Sequence, residues 1–139
     1  IMNKLQKKFL IVYQGIVMPD RPLGNIVKAL KTINDSQMAF IVMGRCGDRN
    51  YEKSLKEIYK HVYYLGYIPA PQHLAITKLC HIGIANYDFS SLNNVFCAPN
   101  KIYEYAKFGK PILASQNIGL TETVGACGAA ECILRTLMI

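Results

Sequence analysis

Short apolar runs alternate with amphipathic stretches along the chain, and they predict strands that alternate with helices. The run Met38–Met43 is apolar throughout, which is typical of a parallel strand covered on both faces. A sixth strand could follow near the end of the chain, at Glu131–Leu134. The other predicted strands are Phe9–Tyr13, His61–Leu65, His81–Ala85 and Pro111–Ala114.

The stretches between these strands carry apolar residues at helical spacing. The clearest set is Leu23, Ile26, Val27, Leu30 and Ile33, which lie on one face of a helix. Further helices are predicted over residues 51–59, 71–79 and 99–108 and near residue 119, whereas residues 86–98 read as a long polar loop. Regular alternation of strand and helix predicts an α/β fold with a doubly wound parallel sheet.

Composition and charge limit the classes of function. The 139 residues fit one domain with a substantial core, and 51% hydrophobic with 18% charged residues excludes a disordered chain. The net charge is +7, and residues 1–60 hold 11 lysines and arginines against 5 acids. This excess is either a solvated basic face or an attraction to anionic lipid head groups or an anionic nucleotide. No zinc-finger spacing or aromatic nucleic-acid motif is present, so nucleic acid is not an expected partner.

The cysteines and apolar runs indicate a cytoplasmic protein. Five cysteines form an odd set without CxxC spacing, so we expect buried free thiols in a reducing compartment, with neither a metal site nor disulfides. The apolar runs are too short to span a bilayer.

The segment Pro99–Ser115 carries the most specific chemistry. A helix opened by Pro99 and Asn100 directs free N–H groups toward whatever precedes it, which suits a phosphate. Lys101 lies in the first turn, where the helix dipole disfavours a cation and a bound phosphate would offset that cost. Glu104 lies about one turn in, within reach of a sugar diol. Asn100 is either a helix cap or a ligand contact.

Glycines follow several of the predicted strands. Gly15, Gly44 and Gly66 lie at the carboxyl ends of the first three, and ligands of doubly wound sheets bind at these ends of the strands. A glycine can simply end a strand. Several glycines at the carboxyl edge of the sheet, the edge that also carries Glu104, indicate a cleft in which the backbone can approach a nucleotide.

These motifs together resemble the donor-binding half of GT-B glycosyltransferases, the retaining enzymes often called family 4. The resemblance covers nearly the whole chain, in the order YQG (13–15), Arg21, IVMG (41–44), LGYIP (65–69), Asn93-Asn94 and PNKIYEY (99–105). It implies that residues 1–139 form a C-terminal, Rossmann-like domain that binds a nucleotide-diphosphate sugar without a metal or another cofactor.

The resemblance also implies roles for individual residues. Arg21 and Lys101 would be catalytic, because they would stabilise the leaving diphosphate, and Glu104 would bind the ribose. Tyr67 and Ile68 would contact the base, although a packed turn explains them equally well. Gly15, Gly44 and Asn100 would complete the donor site.

One position departs from the family pattern. The family usually has a second acid eight positions before the ribose-binding one, where this chain has Phe96. That acid normally helps to hold the donor sugar. Asn93 or Asn94 is the candidate substitute, since amides can bond to sugar hydroxyls.

The resemblance further implies an acceptor-binding domain before residue 1, and the abrupt start at Ile1 is expected of an excised fragment. Such a fragment should bind donor without transferring sugar. A bacterial polysaccharide or lipid-linked glycan pathway is the expected setting, in the cytoplasm or at the inner face of the membrane.

Two other functions are alternatives to a glycosyltransferase. They are a sugar-nucleotide 2-epimerase, which would carry more acids and a histidine in the cleft, and a non-catalytic nucleotide-binding module. His61, His73 and His81 receive no catalytic role.

Overall fold

A computed structural model describes Leu5 and residues 7–134, and its six strands form one parallel sheet. The strand order is β3-β2-β1-β4-β5-β6, and every neighbouring pair is parallel. The predicted doubly wound sheet is confirmed. The strands are β1 (Phe9–Gln14), β2 (Met38–Met43), β3 (Val62–Gly66), β4 (Ile82–Ala85), β5 (Ile112–Ser115) and β6 (Ala130–Leu134).

Helices cover both faces of this sheet. They are α1 (Leu23–Ile33), α2 (Arg49–Ile58), α3 (His73–Leu79), α4 (Leu92–Phe96), α5 (Asn100–Lys107) and α6 (Ile118–Leu120), which continues into a π-helical turn over Thr121–Gly125. The prediction of an uninterrupted loop over residues 86–98 is wrong because it contains α4. The Ser91 side chain accepts a hydrogen bond from the Asn94 backbone N–H, so a local cap supports this short polar helix.

The core consists of two apolar layers, one on each face of the sheet. Alternate residues of β1 divide between them: Leu10 and Val12 face one layer, and Ile11 and Tyr13 face the other. Of the apolar face predicted for α1, Leu23, Ile26, Val27 and Leu30 are buried in the second layer. Ile33, the last residue of the helix, is exposed. Residues on both faces of β1 and β2 are therefore buried, as their continuous apolar sequence predicts.

From β1, the chain adds strands first toward one edge of the sheet (β2, β3) and then toward the other (β4, β5, β6). This change of order between the parallel neighbours β1 and β4 opens a crevice at their carboxyl ends. Gly15 and Gly44 lie there with φ values of +133° and +147°. A Cβ built on Gly44 would lie 1.6 Å from the Gly15 carbonyl oxygen. The loop after β1 and the loop after β2 approach so closely that no other residue fits at position 44.

All five cysteines lie in the described part of the chain and are free. Only Cys80 is buried, and Cys127 is exposed. The expectation of buried thiols holds in full for Cys80 alone, because Cys46, Cys97 and Cys132 are only partly buried where they pack against the core layers. Over the described residues, no helix combines the length and the apolar character that crossing a membrane requires.

Candidate functional site

A cavity of about 500 Å³ opens at the carboxyl edge of the sheet. It lies where the strand order reverses, at the place where doubly wound sheets bind ligands. Most of the residues predicted for the site line it: Gly15, Arg21, Gly44, Tyr67, Ile68, Asn100, Lys101 and Glu104. The fold thus brings together residues that are far apart in the sequence.

Tyr105 fixes helix α5 against the sheet. Its ring packs so closely on β4 that a Cβ on Gly83 would lie 2.3 Å from it. Its buried hydroxyl accepts from the Gln14 N–H at 3.3 Å and lies 3.3 Å from the Ile84 carbonyl oxygen. Because Tyr105 anchors α5 to both β1 and β4, the preceding turn of α5 is held at the cavity. Gly109 has a φ of +61° just after the helix, the left-handed conformation in which many helices end.

Lys101 lies in the first turn of α5 and is 7% exposed. Its Nζ is 4.1 Å from the centre of the Tyr13 ring and 5.1 Å from that of Tyr87. No ion pair joins it to a carboxylate in the described residues. Burial, and secondarily the charge of Arg21, lower the pKa of Lys101 to about 7. A bound anion would supply the missing charge partner.

The N-terminus of α5 itself adds to this positive region. Pro99 precedes the helix in an extended conformation, and no side chain caps the first turn. Free N–H groups at such a terminus attract anions. The predicted capping role of Asn100 is not observed, and Asn100 lies at the cavity lining instead.

Arg21 is the second cation of the cavity. Its guanidinium lies 4.3 Å from the centre of the Tyr87 ring and pairs with the Asp20 carboxylate. It also donates a hydrogen bond of 2.9 Å to Oδ1 of Asn94. These contacts fix the guanidinium at the cavity wall.

The asparagine pair is placed differently from the other predicted residues. Asn94 is 2% exposed, and its Nδ2 donates to Oδ1 of Asp88 at 2.7 Å. Asn93 is exposed on α4. Neither residue is part of the cavity lining. Asn94 instead holds Arg21, and a donor-sugar contact for either asparagine stays a prediction.

Glu104 is held by two neighbours at the cavity wall. Gln14 Nε2 donates to its Oε2, and His73 Nε2 lies 3.2 Å from the same oxygen. The side chains of His73 and Glu104 are 14% and 29% exposed. Sequence reasoning left His73 without a role, because its position on α3 does not by itself reveal this contact.

The outer rim of the cavity is aromatic and basic. Tyr67 is 56% exposed, and the Arg45 guanidinium lies 4.6 Å from the centre of its ring. Sequence reasoning missed Arg45, Tyr87 and Gln14. Each lies at or just beyond the carboxyl end of a strand, so the rule that pointed to Gly15 and Gly44 would also have found them.

The charges of the cavity define what it can bind. Its lining combines three cationic side chains, those of Arg21, Arg45 and Lys101, with the single carboxylate of Glu104. No cluster of side chains suited to a metal ion occurs within the described ranges. Such a site suits an elongated ligand that has an anionic centre and a hydroxyl-bearing end.

Comparison with known proteins gives structural likeness only. No protein-family model and no curated protein sequence matches the chain. A glycosyltransferase involved in avilamycin A biosynthesis is similar in structure, with a TM-score of 0.72 and 16% identity over 99% of this chain and 40% of that one. HepE from Anabaena, solved with UDP and glucose, has a TM-score of 0.70 and 18% identity over 87% of this chain and 33% of its own.

Two further similar structures are an isolated glycosyltransferase domain and an epimerase. The C-terminal domain of LpcC, a group 1 glycosyltransferase from Francisella tularensis, has a TM-score of 0.67 and 15% identity over 88% of this chain and 65% of that one. UDP-GlcNAc 2-epimerase from Neisseria meningitidis, bound to UDP-GlcNAc, has a TM-score of 0.63 and 12% identity over 96% of this chain and 36% of its own. The chain thus spans well under half of the longer proteins. It has the fold of the C-terminal domain of GT-B glycosyltransferases.

Proposed function

We propose that this chain is the donor-binding domain of a glycosyltransferase and binds a nucleotide-diphosphate sugar in the cavity. One observation carries the proposal: the buried ammonium of Lys101, which forms no ion pair with any described residue, lies at the uncapped start of α5, and Glu104 lies one turn farther along. A cation and free N–H groups suit a diphosphate, and a carboxylate suits the hydroxyls of a ribose.

The remaining lining residues fit the other parts of such a ligand. The Tyr67 ring and the Arg45 guanidinium beside it form a planar and basic rim on which a base can stack, and Ile68 adds apolar surface to the lining. Gly15 and Gly44 bring the backbone to the cavity lining, where it can contact the ligand. HepE, which shares the fold, was solved with UDP and glucose, and this supports a nucleotide sugar as the ligand class.

The reaction proposed for the whole enzyme is sugar transfer without a metal. The bond from the anomeric carbon to the diphosphate oxygen breaks, a bond to an acceptor oxygen forms, and the acceptor loses its proton. Arg21 and Lys101 stabilise the negative charge that develops on the diphosphate. Retention of configuration rests on the family resemblance alone, as do a glycan pathway and a lipid-linked acceptor.

A 2-epimerase is the second candidate, and the placement of His73 favours it. An epimerase should carry a histidine and further acids in the cleft. His73 is there, beside Glu104, and an epimerase is among the similar structures. Glu104 is nevertheless the only carboxylate of the described cavity lining, which favours the transferase domain. Incubation with UDP-GlcNAc, followed by chromatography for its 2-epimer, distinguishes the two.

A thermal-shift panel tests the proposal. UDP-, GDP-, ADP- and dTDP-sugars are added to the wild-type protein, to Lys101→Met and to Lys107→Met, an exposed lysine on the same helix. We expect one group of nucleotides to raise the Tm of the wild type and of Lys107→Met, and to have little effect on Lys101→Met. A uniform lack of response from the wild type would reject the proposal.

A further inference from the structure

Gln14 and Thr77 form a buried polar connection behind Glu104. Gln14 ends β1 and is 5% exposed, and Thr77 on α3 is fully buried. Buried polar side chains are retained in folded proteins when they are hydrogen-bonded. These two are bonded to each other, and Gln14 is bonded to Glu104.

The Thr77 hydroxyl and the Glu104 carboxylate together determine which way the Gln14 amide is turned. Thr77 Oγ1 lies 2.6 Å from Oε1 of Gln14 and 3.1 Å from the His73 carbonyl oxygen. A hydroxyl has one proton to donate, and the shorter contact is the one to Gln14. With Oε1 turned to Thr77, Gln14 directs Nε2 to the Glu104 carboxylate. The reversed amide would place two acceptor oxygens against each other.

This arrangement leaves the two oxygens of Glu104 unequal. Gln14 and His73 both contact Oε2. Oε1 accepts no hydrogen bond from the described residues, and Glu104 lines the cavity. One oxygen therefore holds the carboxylate in place, and the other remains available to a ligand.

We propose that Gln14, oriented by Thr77, is the positioning residue that presents Oε1 of Glu104 to the ribose hydroxyls of the donor nucleotide. This inference rests on the proposed function. It assigns the ribose preference of the site to a residue that holds the ligand-binding carboxylate and is itself 5% exposed at the cavity wall. Loss of the Gln14 amide should let the Glu104 side chain rotate, so affinity should fall only for ligands that carry the diol.

Paired ligands test this role. Calorimetry compares UDP, GDP and ADP with their 2′,3′-dideoxy analogues on the wild type, Gln14→Met, Thr77→Val and Thr77→Ser. Gln37→Met, at an exposed glutamine, is the control. For the ribonucleotide that binds, we expect Gln14→Met to weaken affinity about five- to tenfold and Thr77→Val about threefold. Thr77→Ser, which keeps the hydroxyl, should restore most of the loss. Affinity for the dideoxy analogue should change less than about twofold in every variant.

An NMR measurement tests the hydrogen bonds without any ligand. The side-chain NH₂ protons of Gln14 should move upfield in Glu104→Ala, because a bond to a carboxylate shifts them downfield, and Thr77→Ser should retain the wild-type shift. Unmoved protons would overturn the inference.

The binding results separate this inference from the proposed function. Equal losses for the ribo- and dideoxynucleotide, or unchanged ribonucleotide affinity in both Gln14→Met and Thr77→Val, would overturn the positioning role alone. If the wild type bound no nucleotide, the proposed function would fail and the positioning role with it. Thr77→Val carries the test if Gln14→Met does not fold.

Discussion

The ammonium of Lys101 lies 4.1 Å from the centre of the Tyr13 ring, inside a cavity where it has Arg21 as a cationic neighbour. Helix α5 has no acidic residue in its first turn. A cation in this position is stabilised by the aromatic rings and destabilised by burial and by the helix dipole. A bound anion would stabilise the charged form of Lys101 further. The protonation of Lys101 therefore reports most directly on anion binding.

Lys101→Met should stabilise the protein most at low pH. The pKa of Lys101 is lowered from 10.5 to about 7, so between these values the unfolded chain binds a proton that the folded chain has released. Stability due to this group rises with pH through that window and is lost as the pH falls to about 7. Urea denaturation should show Lys101→Met more stable than the wild type by roughly 1–3 kcal/mol near pH 6, with a smaller difference near pH 8.5. Lys107→Met is the control, and a difference independent of pH would contradict the prediction.

Nucleotide affinity should fall as the pH rises above about 7. The free protein loses the Lys101 proton there, whereas a bound diphosphate favours the charged form and raises its pKa. Binding at higher pH must therefore take up a proton. Calorimetry in buffers of different ionisation enthalpy measures that uptake. A wild type with constant affinity between about pH 6.5 and 9 would show that the diphosphate does not contact Lys101.

Salt should weaken binding, and a chelator should not. The cavity attracts the diphosphate through helix N–H groups and through cations, of which Arg45 is exposed, and dissolved ions screen exposed charges. We expect affinity to fall between about 0.05 and 0.5 M NaCl and to stay constant in EDTA. A strict requirement for Mg²⁺ or Mn²⁺ would contradict the metal-independent mechanism.

Gly44→Ala should damage the cavity floor, whereas Gly47→Ala should not. A Cβ at position 44 would meet the Gly15 carbonyl oxygen at 1.6 Å, and the φ of +147° is unfavourable for alanine. A Cβ at position 47 meets nothing within 4 Å. We expect Gly44→Ala to lower the free energy of unfolding by about 2 kcal/mol or more. Similar denaturation midpoints for the two variants would show that the loops are not in close contact.

The 139-residue chain should bind a nucleotide sugar without transferring the sugar. Transfer requires an acceptor to be held against the anomeric carbon, and such positioning is worth several kcal/mol of the barrier, roughly 7–11 in favourable cases. In the proposed function this cavity binds the donor, and a second domain would bind the acceptor. A radiolabelled donor with a panel of acceptors checks this. Efficient transfer by the purified chain would contradict the two-domain account.

The fold was more predictable from the sequence than the site. Continuous apolar runs such as Met38–Met43 reveal buried parallel strands, because burial on both faces tolerates few polar residues. The hydrogen bonds of Asn94 and His73 depend on loops and helices that meet only in the folded chain. Asn94, a candidate contact of the donor sugar, accepts a hydrogen bond from Arg21, and its contact with a sugar stays a prediction. Helix α4 was missed because it has only five residues, and its serine cap and asparagines are also typical of loops.

The central claim is that Lys101 binds the diphosphate and Glu104 the ribose of a nucleotide sugar, and titration calorimetry on Glu104→Ala tests it most directly. The nucleotide sugar selected by thermal shift is titrated into the wild type, Glu104→Ala and Glu122→Ala, an exposed acid in the π-helical turn. We expect Glu104→Ala to lose about 1.5–3 kcal/mol of binding free energy while its Tm stays close to that of the wild type. Glu122→Ala should bind normally. Unchanged affinity in a folded Glu104→Ala would contradict the account.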